Sequence, residues 1–311
     1  MTTGQIRSDL TAALPGLPSQ LADEMAEAVG TGGHLPGSLV ARCEETVGLE
    51  VGAVLRGLLG IATRRALVPV SGYHVGAAVQ VRPRGQERCG AIYLGANLEF
   101  TGVALHHTLH AEQAAVNHAW LCDEIGIGLI ATSAAPCGHC RQFLWEVDRE
   151  VLLLDARSSK QGSETRPLRE LLPDAFGPED LEIERRLMAP MVDRVDPERR
   201  SDDPVEGAAY RAATASYAPY SGNSAGAAIE LADGGIWAGR YAENAAFNPT
   251  VLPLTSALSL ARMRGWDPAS CPILRAILVV GDPAPHADGA RAVLSATGSA
   301  IELEVVLAEL G

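Results

Sequence analysis

The chain has 311 residues, 47% of them apolar, and a formal net charge of −13. That length exceeds a typical single domain, so two packed units, or one unit with additions, are expected. The acidic balance and the lack of a Lys/Arg cluster argue against DNA or RNA as ligand and favour a small neutral substrate.

The N-terminal MTTGQIRSDL has no long apolar core, and apolar runs elsewhere are broken by Arg, Glu or Pro well short of a membrane span. A soluble, cytoplasmic protein without membrane association is the expectation. Residues 1–48 read as a helical segment. Leu21, Met25 and Val29 recur at four-residue spacing and Gly30 to Gly33 ends that helix; a second helix follows from Pro36 to Val47. A third is expected from about Leu49 to Arg65, with Val54, Leu58 and Ile61 on one face. No chemistry-bearing pattern occurs up to this point, which suits packing or dimerisation. Ala66 to Val81 reads as an extended stretch running into a strand, RPRGQERCG as a turn-rich link, and Ala91 to Leu94 as the partner strand. The GANLEF loop then brings Asn97 and Glu99 just ahead of a helix that begins near His110.

The stretch from Leu109 to Cys140 carries the chemistry: LHAEQAAVNHAW, an apolar run, then APCGHCRQF. His110, Cys137 and Cys140 offer one imidazole and two thiolates, a soft set that suits zinc, and three protein ligands leave a fourth tetrahedral position open. A water held there ionises near neutral pH. On a helix Glu112 would point about 200° away from His110, badly placed to chelate the same ion but able to reach that water as general base. Cys137 and Cys140, three apart in a first helical turn, share one face, and the helix N-terminus favours thiolates. Arg141 and backbone N–H groups could offset their charge. The competing reading is a structural zinc clip whose fourth ligand is His106, His107 or His139. Ile127 to Thr132 reads as a buried strand, Cys137 to Val147 as a helix and Val151 to Leu154 as another strand, a succession that calls for an α/β sheet with crossover helices. Cys43, Cys89, Cys122 and Cys271 have no disulfide-framework spacing and read as reduced thiols.

Ala156 to about Glu206 reads as a connection with one ordered piece, LPDAFGPEDLEI, and a densely charged part from Asp193 to Pro204. The chain then repeats itself weakly. AAYRAATASYAPYSGNSAGAAIEL parallels GIATRRALVPVSGYHVGAAVQV, and GGIWAGRYAENAAF parallels GAIYLGANLEF, which matches Ser221 to Ser71, Gly239 to Gly95 and Glu243 to Glu99. The copy has LPLTSALSLA where ligands would stand, with Thr255 near the place of His110, and only Cys271 afterwards, so it cannot hold the metal.

At HAEQ, NHAW, PCGHCRQF and YAENAAFNPT the chain resembles the cytidine deaminases, and its layout resembles the dimeric bacterial type. The resemblance implies a mixed sheet flanked by helices: an N-terminal helical segment (1–48), a catalytic zinc domain (49–190) and a metal-less copy of it (191–311). It implies one Zn²⁺ per chain, held by His110, Cys137 and Cys140, and deamination of free cytidine and 2′-deoxycytidine in pyrimidine salvage. In that chemistry a zinc-activated hydroxide adds to C4 while Glu112 shuttles protons. Asn97 and Glu99 would bind the ribose 3′-hydroxyl, the backbone near Ala111 the pyrimidine, and Tyr73 and Phe176 would line the base, Phe176 from the partner chain of a homodimer. Tyr73 stands where relatives often have Phe, and Ala134-Ala135 where they have an aromatic–Thr pair. A polynucleotide deaminase is the rival enzyme; it would want a basic channel and stacking aromatics, whereas this chain is acidic with 5% aromatics. Glu99 beside the sugar would repel a 3′-phosphate and so favours the free nucleoside.

Overall fold

Ile6 and Leu10, one turn apart, give α1 (Thr3–Ala13) its buried face, and the Thr2 hydroxyl caps its start. Leu21, Met25 and Val29 do the same for α2 (Ser19–Gly32), which Gly33 ends in the left-handed conformation, φ 65°. In this computed structural model, which describes residues 1–155, 165–190 and 201–309, α3 (Gly37–Val47) and α4 (Val51–Thr63) complete the N-terminal helices. A two-residue strand, β1 (His34–Leu35), pairs antiparallel with Ile92 and Tyr93 and stitches this segment onto the first sheet. Two residues are too short for any period-two signal, so it was not expected.

The first sheet contains β2 (Gly76–Val81), β3 (Ile92–Ala96), β4 (Ile127–Thr132), β5 (Leu152–Asp155) and β6 (Thr165–Pro167), in the order β1-β3-β2-β4-β5-β6. Only β4 and β5 run parallel, joined through α6 (Gly138–Val147); α5 (Ala111–Leu121) connects β3 to β4. A short helix, α7 (Leu168–Leu171), follows β6. The charged connection expected at 193–204 lies largely outside the described residues, as does the boundary expected at 190/191.

The second sheet repeats the plan. After α8 (Pro204–Thr214) come β7 (Ala225–Leu231), β8 (Ile236–Arg240), α9 (Pro253–Met263), β9 (Ile273–Val280), α10 (Ala287–Ala296) and β10 (Leu303–Leu307). Its order is β10-β9-β7-β8, again with one parallel pair, β9 and β10. Each sheet presses a glycine against the helix that follows its hairpin. A Cβ on Gly95 would lie 2.1 Å from Ala115 N and 2.4 Å from Ala111 O; one on Gly239 would lie 2.1 Å from Ala257 N and 2.3 Å from Pro253 O.

These paired contacts set the register of the duplication. Ala111 answers to Pro253, so His110 answers to Leu252, Glu112 to Leu254 and Gln113 to Thr255. The bridges Leu98–Leu109 and Ala242–Val251 agree. Thr255 therefore stands three residues from the place of His110, a correction to the expectation from sequence. The copy's α10 has His286 at its N-cap, where α6 has Cys137, and Gly289 three residues on.

The molecule is layered. The four N-terminal helices bury one face of the first sheet through Ile92, Leu94 and Ala96. The other face, with Ala77, Val79 and Tyr93, shares one apolar core with Val116, Phe143, Leu258 and Leu294 of the inner helices and with Ala227, Ile229 and Leu278 of the second sheet. Helix α8 covers the far side through Val205, Ala209 and Ala213. The helices carrying the expected ligands thus lie in the central layer, between the two sheets.

Candidate metal centre and its cavity

His110 is the N-cap of α5, with extended backbone (φ −79°, ψ 157°), and Cys137 is the N-cap of α6, also extended (φ −74°, ψ 170°). Two helix N-termini therefore meet at one point. His110 Nδ1 lies 3.5 Å from Cys137 Sγ and 3.3 Å from Cys140 Sγ, and the sulfurs are 3.5 Å apart. Around tetrahedral zinc, bonds of about 2.3 Å to sulfur and about 2.0 Å to nitrogen put the sulfurs ~3.8 Å apart and nitrogen ~3.6 Å from each. The donor set therefore fits zinc in spacing as well as in softness. Among the described residues this is the group of His, Cys and acidic side chains gathered for a metal, and His106, His107 and His139 are not in it. Among the described residues no fourth protein ligand joins it, and none of the three histidines of the clip reading does.

The thiols divide their charge. Hydrogen bonds from Cys140 and His110 pull the Cys137 thiol down to about 3, while the same contact with Cys137, and burial, push Cys140 up. The hydrogen bond to Cys137 raises His110. A cation bound to all three would take the place of the protons they now share. Arg141, expected to offset thiolate charge, donates from Nε to the carbonyl of Pro136 and from one terminal nitrogen to that of Leu171.

Glu112 is buried at 4% exposure in the first turn of α5. His110 stands outside the helix as N-cap, so the rotation argument made for two helical positions does not apply. Burial pushes its carboxyl above the ordinary range, although its own N–H and the Cys140 thiol bond to it. A carboxyl that binds its proton more tightly than usual suits a group that must take and return one near neutral pH.

Beside these groups opens a cavity of about 300 Å³, lined among others by Tyr73, Asn97, Glu99, His110, Glu112 and Cys137. Ala111, Ala134 and Ala135 also face it, and among the described residues no Lys or Arg does. Of the expected substrate residues, Tyr73, Asn97, Glu99 and Ala111 are brought together here; Phe176 is not. Phe176 is exposed, and its carbonyl accepts from Gln142 of α6.

Asn97 and Glu99 also have local work. Asn97 accepts from Val75 N and donates to Tyr73 O, both at 2.9 Å. Glu99 accepts from Val70 N, Ser71 N and Ser71 Oγ; burial acts to raise its pKa, but these bonds outweigh it and hold the carboxyl below the ordinary range. Glu243 takes the equivalent bonds from Tyr220 N, Ser221 N and Ser221 Oγ in the copy without ligands. The glutamate is thus first a loop fastener, with lone pairs left for a hydroxyl. The copy keeps a cavity of about 610 Å³ around Ser221, Tyr241, Glu243 and Thr250.

Gln113 escaped the sequence reading, and His139, considered there only as a fourth ligand, has a different part. Gln113 Oε1 lies 3.2 Å from His110 N and 3.3 Å from His139 Nε2, and the His139 ring stacks on that of His110 with centroids 4.9 Å apart. A glutamine three residues after an N-cap was the available signal. Its other end, donating to Pro249 O at 2.8 Å, had none.

Comparison with known proteins finds two matches to family models described as the cytidine and deoxycytidylate deaminase zinc-binding region, over residues 51–154 and 168–287. The first span contains the metal group, Glu112 and the cavity; the second lies over most of the metal-less copy. Among solved structures, the chain is similar to cytidine deaminase from Mycobacterium tuberculosis, with 32% identity over 42% of this chain and 99% of that one, TM-score 0.35. It is also similar to cytidine deaminase from Burkholderia pseudomallei, with 25% identity over 40% of this chain and 97% of that one, TM-score 0.34.

Proposed function

The chain belongs to the cytidine and deoxycytidylate deaminases, zinc-dependent hydrolytic enzymes, and from that premise we propose that it converts free cytidine and 2′-deoxycytidine to uridine and 2′-deoxyuridine, releasing ammonia. The observation that carries this reading is a buried Glu112 beside the His110, Cys137 and Cys140 donor atoms at a nucleoside-sized cavity. Zinc held by those three residues would supply the Lewis acidity that activates water near neutral pH.

Glu112 then takes one proton of the attacking water and passes it to ring N3 as the oxygen adds to C4, and afterwards carries the second proton from that oxygen to the amine, which leaves as ammonia while C4 becomes a carbonyl. The Cys137 N–H, at the positive end of α6, donates to the oxygen that gains charge at C4. Tyr73 gives the base an aromatic face, the backbone near Ala111 orients it, and Asn97 and Glu99 receive the ribose hydroxyl while keeping their loop closed. Phe176 covers the base of the partner subunit's site in a homodimer.

A free nucleoside is favoured over the nucleotide because, among the described residues, the cavity offers Glu99 and no Lys or Arg to a phosphate. Such a substrate belongs to cytoplasmic pyrimidine salvage. Following the ultraviolet absorbance and ammonia yield with cytidine, deoxycytidine and deoxycytidylate tests the assignment. Turnover of the two nucleosides with little of the nucleotide is expected; faster turnover of deoxycytidylate, or none of any, would overturn it.

A further inference from the structure

We propose that the metal-less copy positions the zinc ligands, with Gln113 as the positioning residue that joins the two; this rests on the zinc deaminase reading above. Gln113 is buried at 1% exposure, and its amide has one consistent orientation. Nε2 must donate to the Pro249 carbonyl, which leaves Oε1 to accept from His110 N and from His139 Nε2. The first of these bonds fixes the backbone of a ligand. The second fixes the ring that stacks on that ligand's imidazole. Both therefore depend on where the metal-less copy places one carbonyl.

That carbonyl sits on a braced turn. Phe247 N donates to Asn244 O at 2.8 Å, Thr250 N to Phe247 O at 3.0 Å, and Val251 pairs with Ala242. The same segment grips the helix that carries the cysteines. Asn244 Nδ2 donates to Gln142 O, Ala245 N donates to Glu146, and Tyr217 donates to the same fully buried carboxylate. One turn of the copy without ligands thus ties the start of the His110-bearing helix to the middle and last turn of the cysteine-bearing one. Among the described residues the Gln113 link has no mirror image: Thr255, in its register, has a buried hydroxyl with no hydrogen-bond partner.

Partners one step out from a metal ligand typically govern affinity ten- to a hundredfold, about the effect expected here. The test uses the full chain with Gln113→Met, which keeps bulk and loses every bond, and Gln113→Glu, which keeps the acceptor but faces Pro249 O with a carboxylate. Zinc affinity is read against a competing chelator, and the ligand-field bands of the cobalt-substituted protein report ligand geometry. Asn117→Ala, which breaks the Asn117–Ser256 bonds between α5 and α9, controls for general loosening. Gln113→Met is expected to bind zinc about tenfold or more weakly, to shift the cobalt bands and to lower kcat more than it changes KM. Asn117→Ala should lower Tm with unchanged cobalt bands. Should Gln113→Met not fold, Gln113→Glu carries the same readings. Wild-type zinc affinity and cobalt bands in the folded Gln113 variants would overturn the proposal. If the wild type bound zinc and left cytidine untouched, the assigned activity would fail instead, and the metal readings would still judge the role of Gln113.

Discussion

Glu112 and His118 stand two turns apart on α5, both buried, and burial moves their proton affinities in opposite senses: the acid up, the base down. For Glu112 the consequence is chemical. Glu112→Gln keeps the shape but cannot shuttle a proton, so zinc content should stay near one per chain while turnover falls two to four decades; near-normal kcat in that variant would remove the acid/base role. For His118 the consequence is stability. Burial brings its pKa down to about 3, so the folded ring stays neutral while the unfolded ring titrates near 6.5. As pH falls from 6.5 towards 3 the unfolded chain takes up the extra proton, and stability is lost by about 1.4 kcal/mol per pH unit; above 6.5 the full contribution is present. Urea unfolding with EDTA present should show His118→Gln losing ~2 kcal/mol less than the parent between pH 6.5 and 5. Equal losses would mean that His118 is not the group responsible. At this scale the ligands were readable because HxE and CxxC place donor atoms by local spacing alone. Gln113 was not, since what makes it matter is a carbonyl 136 residues away.

Helix α5 meets β3 at Gly95, where Ala111 O and Ala115 N leave no room for a methyl group. Gly95→Ala must push the start of α5 off the sheet, and His110 with it. A cost at or above the ~1–3 kcal/mol of ordinary overpacking is expected, together with weaker zinc binding. Gly239→Ala meets the same obstruction in the copy and should lower Tm comparably with a smaller loss of zinc. Calorimetry and zinc titration of the two variants check this; equal zinc loss would mean that the two junctions do not act separately. Most elements were legible where one period or one cap decides them. The run IGLIAT, apolar over most of its length, gave β4 its bounds, and Pro136 before the cysteines marked the start of α6. β1 went unseen because two residues carry no periodicity. The repeat was visible from shared glycines, but its register was not: LPLTSALSLA has no ligand to anchor an alignment, and it takes the close approach of Gly239 to Pro253 and the bridge Ala242–Val251 to fix it.

Across the whole molecule, the two sheets face each other over a central layer of helices, and the duplication read from sequence is this near-symmetry. Several large apolar side chains stay at the surface, among them Leu105 at 71%, Phe247 at 69% and Tyr73 at 64% exposure. Tyr73 lines the catalytic cavity and Phe247 its counterpart, so a homodimer that covers both mouths is the expected assembly. Sedimentation should give a dimer, and Phe176→Asp should cut turnover while leaving zinc content intact. A fully active monomer would remove the partner's part in the site. The carbonyl of Pro249 and the imidazole of His110 are tethered within one polypeptide, and this separates two kinds of fragility. An intramolecular brace has an effective concentration that does not change when the solution is thinned, whereas a contribution from a neighbouring subunit does. Serial dilution should therefore strip catalytic output before it strips the ion.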